Sequence, residues 1–135
     1  MLLLLAAAVL AASGPSACPS DLMVDDPRLK VVRSTDKAFD NYIVTVDVKN
    51  DGHDGQGAAI AQRLDLVKDG KVIGTQPIPA LGAAVTYPAA FRMQLPHVKK
   101  RMPITVTFHY VLADQHDAAR ENCKNDNDLL TATLQ

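Results

Sequence analysis

The stretch Tyr42–Lys49 constrains this chain more than any other. Tyr42, Val44, Val46 and Val48 fall on one side of a period-2 pattern, and Ile43, Thr45, Asp47 and Lys49 fall on the other. Alternation of this kind, rich in β-branched residues, is what a half-buried strand requires. Asn50-Asp51-Gly52 ends the strand with residue types that tolerate the left-handed backbone of a tight turn. A strand with one apolar face must bury that face against a second sheet or a helix.

The rest of the chain supplies further strands and no convincing helix. Asp21–Pro27 reads as a polar loop, and Leu29–Arg33 as a short first strand. Ala58–Lys68 carries enough Ala and Gln for a helix. It is better read as a strand, because Lys68-Asp69-Gly70-Lys71 is a hairpin turn leading straight into Val72-Ile73. Val72–Ile78, closed by Pro77 and Pro79, is expected at a sheet edge, since proline has no ladder donor. Ala83–Tyr87 and Ala90–Leu95 read as one strand interrupted at Pro88, with Phe91, Met93 and Leu95 on a shared face. Ile104, Val106, Phe108 and Tyr110 alternate with polar neighbours in a second long strand, the expected partner of Tyr42–Lys49 in the core. After a long polar connection, Asp114–Asp128, Leu130–Leu134 is the last strand. About seven antiparallel strands at short spacing make an all-β chain. An immunoglobulin- or fibronectin-like β-sandwich is the economical architecture, with an open barrel as the alternative.

The first 17 residues stand apart. Leu2–Ala12 is an unbroken apolar run of eleven, followed by the small, turn-prone Ser13-Gly14-Pro15-Ser16-Ala17. The run is too short to span a bilayer and matches the apolar region of an export signal, although no basic residue precedes it. Residues 1–17 are therefore expected to be a signal peptide and residues 18–135 a single domain, exported to the periplasm or secreted. Two cysteines remain, Cys18 and Cys123. In an oxidising compartment an even count invites a disulfide, which would close a loop of about a hundred residues and stabilise the fold by about 3–5 kcal/mol. Cys18 also stands where a lipoprotein would be cut and lipidated, but Pro15 occupies the place where Leu is usual. The two uses exclude each other, and two free thiols are the third possibility.

The formal charge is −1. A near-neutral balance disfavours a nucleic-acid binder, which needs a basic face. Lys99-Lys100-Arg101 is a local basic cluster that reads as a solvated turn. With no tryptophan and 4% aromatic residues, the chain lacks the exposed rings of a carbohydrate platform.

Several stretches resemble the bacterial CARDB domains, cell-adhesion-related immunoglobulin-like modules. Val44–Gly52 is similar to their V-x-V-x-N-x-G opening, and Leu66–Gly74 to their D-G hairpin. Leu81–Thr86 is similar to the turn that follows, with its glycine displaced, and Glu121–Asp128 to their closing E-x-N-E-x-N-N segment. The likeness covers roughly residues 40–134 and departs at Cys123 and Asp128. It implies an extracytoplasmic β-sandwich used for binding or as a spacer, with no shared catalytic residues and no cofactor.

Constellations that carry chemistry are sparse. His53, His97, His109 and His116 follow no ligand spacing, but Met93, His97 and Met102, with His109, could serve a periplasmic copper site. Asp51 and Asp54, and Asp126 and Asp128, offer the hard oxygens calcium prefers, though no later Glu completes a twelve-residue loop. No nucleophile elbow surrounds Ser20 or Ser34, and no phosphate loop is present. The expected function is a non-catalytic binding module of the bacterial cell envelope with a protein or envelope partner. That partner would be met through the loop ends or by strand addition at Val72–Ile78, and a membrane only if Cys18 is lipidated. A small copper-handling protein and a structural spacer are the alternatives.

Overall fold

The computed structural model describes residues 18–114 and 118–135. The expected signal peptide and His116 lie outside these. Seven strands form two antiparallel sheets: β1 (Leu22–Val32), β2 (Phe39–Asn50), β3 (Gln62–Lys68), β4 (Lys71–Pro77), β5 (Thr86–Pro96), β6 (Ile104–Leu112) and β7 (Leu129–Leu134). One sheet has the order β1-β2-β5 and the other β4-β3-β6-β7. A one-turn helix, α1 (Ala118–Glu121), precedes β7.

The period-2 pattern of Tyr42–Lys49 is realised as the central strand of its sheet. Tyr42, Val44, Val46 and Val48 are buried while their neighbours stay half-exposed. β6 holds the matching position in the other sheet, with Val106, Phe108 and Tyr110 pointing inward. The two long strands are therefore partners across the core rather than neighbours in one ladder. Leu64 and Leu66 from β3 and Phe91 and Met93 from β5 fill the space between them. The Phe91 and Phe108 rings meet at 6.4 Å between centroids, a tilted contact within the favourable range.

Two expectations need correction. Asp21–Pro27 is not a loop: β1 begins at Leu22, and Leu22 and Val24 are core residues. Asp25-Asp26-Pro27 is a bulge within the strand, with Asp26 at φ 52° and Pro27 placed where the ladder slips out of register. A bulge accommodates both the left-handed residue and the missing donor. Pro88 does not interrupt β5. It pairs with Asp47 inside a continuous strand, which its position at the sheet edge permits. The long polar connection Asp114–Asp128 carries α1. β4 lies at an edge as expected. Among the described residues, no helix is long and apolar enough to cross a membrane.

Candidate functional site

Strand direction sorts the loops into two groups. The segments before β1, between β2 and β3, between β4 and β5, and around α1 converge at one end of the sandwich. The β1–β2, β3–β4 and β5–β6 loops occupy the other.

The first end is clasped. Cys18 and Cys123 form a disulfide with their Cα atoms 5.7 Å apart, so neither is free for lipidation. Beside it, backbone bonds run from Ser20 N to Arg120 O and from Cys123 N to Ser20 O. Asn50, the last residue of β2, is completely buried. Its Oδ1 accepts from Asp21 N at 3.1 Å and from Gly52 N at 2.9 Å. Its Nδ2 donates to Asp54 O at 2.9 Å and to Leu81 O at 3.1 Å. All four hydrogen-bonding positions of the carboxamide are used. One side chain thus ties together three segments far apart in sequence.

Asn122 plays a second such part. Its Oδ1 accepts from Leu22 N at 3.0 Å, and its Nδ2 donates to both carboxylate oxygens of Asp128. Asp21 accepts from Lys124 N and Asn127 Nδ2. Glu121 accepts from Gly57 N at 3.0 Å. Gln56 and Gln62 bond reciprocally, and the Tyr110 hydroxyl donates to Gln62. Burial pushes the Tyr110 phenol well above its ordinary range. Burial also raises the Asp128 carboxyl, against the opposing pull of its bonds from Asn122. A hollow of about 430 Å³ lined by His109, Ala118, Asn122, Asn125 and Asp128 opens beside this network.

Gly52 belongs to the same clasp for a reason its sequence context conceals. It has no left-handed backbone, unlike Gly70 in the hairpin. A Cβ there would lie 2.3 Å from Pro19 O and 2.5 Å from Ser20 Cα. The N-terminal lead passes directly over this residue, and only glycine leaves room.

The opposite end is built differently. Asp40 accepts from His97 Nδ1 at 2.8 Å, and His97 N donates to Ala38 O, pinning the β5–β6 loop to the start of β2. The His97 bond, with help from Val98 N and the nearby Arg101, holds the Asp40 carboxyl below its usual range. Around this anchor lie Arg33, Lys37, Lys99, Lys100 and Arg101, with Lys68 and Lys71 at the hairpin turn.

The residues expected to carry a metal do not converge. Met93 is buried in the core, whereas His109 is exposed on the outer face of the other sheet. His97 is engaged by Asp40, and Met102 is 67% exposed on a loop. Asp54 caps Gly55 N, Asp51 sits 3.8 Å from Lys49 Nζ, and Asp128 is occupied by Asn122. Among the described residues, one group of three His, Cys, Asp or Glu side chains comes within ligand reach, Cys18, Asp21 and Cys123. Its two sulfurs are joined to each other, which leaves a single carboxylate. Sequence reasoning missed Asn50, Gln62, Asn122 and the Asp40–His97 anchor; the Asn-x-Gly and Glu-Asn signatures were its available signals.

No curated protein matches the chain. Among solved structures it is similar to the CARDB domain of a Pyrococcus furiosus protein, crystallised in complex with di-metal ions. The identity is 16% and the TM-score 0.51, over 86% of this chain and 87% of that one. A family model for CARDB matches residues 19–131, nearly all of the described sandwich. The chain belongs to the CARDB family.

Proposed function

We propose that this chain is a non-catalytic binding module working outside the cytoplasm, within the bacterial cell envelope or secreted from it. The Cys18–Cys123 bond carries the reading. A disulfide that closes a span of 105 residues, alongside the hydrogen bonds that join the same two segments, suits an oxidising compartment; a reducing one would keep both thiols. The use of the polar residues supports binding over catalysis. At the clasped end, Asn50, Asn122, Gln56 and Gln62 hold loops together, and their bonding capacity is spent on structure rather than on a substrate.

A partner would be met at the loop ends or along β4. That edge presents Val72 and Ile73 at 58% and 43% exposure, with a bulge opposite Leu66 and Val67. Strand addition there would supply main-chain bonds, with the bulge restricting which register fits.

The test is to express the full chain, recover it from cell fractions and weigh it intact before and after reduction. Envelope or medium protein that gains two hydrogens on reduction supports the reading; a reduced chain in the cytoplasm overturns it. A photo-crosslinker at Val72 or Lys100 should then trap a defined partner in living cells. Absence of any adduct would favour a spacer role.

A further inference from the structure

We propose that the end of the sandwich opposite the disulfide docks on an anionic lipid surface. The proposal rests on the extracytoplasmic reading above and names the partner of that module. In the sequence, Lys99-Lys100-Arg101 stands alone as three cations on a turn. The fold adds Arg33 and Lys37 from the β1–β2 loop and Lys68 and Lys71 from the β3–β4 turn. Asp36, Asp40 and Asp69 are the carboxylates of the same loops and strand ends.

The pairing of these cations separates them from ordinary surface charge. Among the described residues, Lys68 pairs with Asp69 at 2.8 Å, while the other six make no ion pair within 4.0 Å. Of the seven cations elsewhere on the molecule, Arg28, Lys49, Arg63 and Arg120 are paired, and Lys30, Arg92 and Lys124 make no ion pair within 4.0 Å among the described residues. The basic end therefore keeps a field that internal carboxylates do not cancel.

Exposed apolar side chains decide what that field attracts. Val31, Phe39, Val72, Ile73, Val98 and Met102 are large, exposed and gathered at this end, against Val85 and Leu129 toward the other. They interleave with the cations. Arg33, Lys37, Phe39 and His97 line one hollow of about 480 Å³, and Lys68, Val98 and Met102 line another of about 330 Å³. A dissolved polyanion, or the carboxylate-rich end of a second copy, would satisfy the cations and leave these apolar groups in water. A bilayer interface takes both, with headgroups against the ammonium and guanidinium groups and the apolar tips set into the acyl boundary.

The experiment is sedimentation of the envelope-purified chain with phosphatidylethanolamine vesicles containing phosphatidylglycerol, and with neutral phosphatidylcholine vesicles. Each cation near such a surface changes partitioning about fivefold, so Lys99→Ala/Lys100→Ala/Arg101→Ala should weaken binding on the order of a hundredfold. Added salt should weaken the parent in the same direction. Phe39→Ser/Met102→Ser should lose binding several-fold with the salt dependence retained. An unchanged melting temperature in the triple variant shows that its fold is intact. Equal binding to neutral vesicles overturns the proposal, as does a triple variant that binds like the parent. Salt-sensitive self-association without vesicle binding also overturns it, in favour of end-to-end pairing. Failure on vesicles by a protein whose Cys18–Cys123 bond is intact ends this proposal alone; a reduced cytoplasmic chain ends the reading beneath it.

Discussion

Replacing Asn50 should destabilise the whole sandwich, although its side chain contributes no apolar area to the core. In Asn50→Ala, four hydrogen bonds vanish; Asp21 N and Gly52 N lose their acceptor, while Asp54 O keeps the bond from Ser20 Oγ and Leu81 O the bond from Gln56 N. A typical intramolecular bond contributes about 1 kcal/mol net, and a buried group left unsatisfied costs about 1–3 kcal/mol. Water can reach the partly exposed loop at Asp54 and Gly52 more easily than the buried Asp21 and Leu81. A total near 4 kcal/mol follows, a large share of the roughly 5–15 kcal/mol that keeps a domain folded. For a domain of this size that is a fall in Tm of about 15 °C. Asn50→Asp is the sharper variant. It keeps the shape and both acceptor bonds but turns an oxygen toward two carbonyl oxygens and buries a charge. It should cost at least as much as Asn50→Ala at neutral pH and recover partly in acid, where a protonated carboxyl donates again. Chemical denaturation of both variants beside the parent measures this. If Asn50→Asp stayed within about 1 kcal/mol of the parent at pH 7, the assigned orientation of the carboxamide would be wrong, and the clasp argument with it.

Three further outcomes are expected. Cys18→Ser/Cys123→Ser, which opens a span of 105 residues, should lose about 2–5 kcal/mol in denaturant unfolding and leave the far-ultraviolet spectrum that of a β protein when folded. Gly52→Ala forces a Cβ against the Pro19 backbone and should cost about 1–3 kcal/mol, whereas Gly70→Asn at the hairpin, with φ 75° and open space around it, should be nearly silent in the same assay. The two perturbed carboxyls should move acid stability in opposite directions. Asp40 is held low by His97, so its contribution is present above its unfolded pKa and lost as pH falls through the folded one; Asp40→Asn should flatten that part of the melting-temperature profile on the acid side. Asp128 is raised by burial, so stability is gained as pH falls through its folded pKa, and Asp128→Asn should remove that gain.

Local periodicity and turn chemistry were enough to find β2, β6, the Lys68–Lys71 turn and the edge position of β4. Each depends on residues a few positions apart. β1 was half hidden because Asp25-Asp26-Pro27 carries every mark of a loop. Its strand character comes from pairing along β2, which no local pattern reveals. The unbroken β5 was hidden by Pro88 for the same reason: an edge tolerates what a central strand cannot. Asn50-x-Gly52 was visible as a signature but misread as a turn. Its real work involves Pro19, Asp21 and Leu81, and Gly52 is needed for the passage of a distant backbone. The same distance hid Asn122, whose partner Leu22 lies 100 residues away.

The two ends of this sandwich differ in how their polar groups are used. At the disulfide end Asn50, Gln56, Gln62 and Asn122 close on backbone groups or other side chains of the same molecule, while Asn127 bonds Asp21 through Nδ2 and keeps a buried Oδ1 without a partner among the described residues. A ligand competing for these carboxamides would have to break internal bonds and would gain little by doing so. At the other end a small set of bonds, from His97 Nδ1 and Val98 N to Asp40 and from His97 N to Ala38 O, fixes two loops. All but Lys68 of the seven cations around them make no ion pair within 4.0 Å among the described residues, and the apolar tips are left in water. Such a surface loses no internal contacts when something binds it, and it gains both charge neutralisation and apolar burial. Three of the four stretches shared with the family, Val44–Gly52, Leu81–Thr86 and Glu121–Asp128, reach the disulfide end that holds the domain together, while the fourth, Leu66–Gly74, forms the hairpin at the other end. The half proposed to meet a partner is written in loops whose residues need only the right charge and exposure.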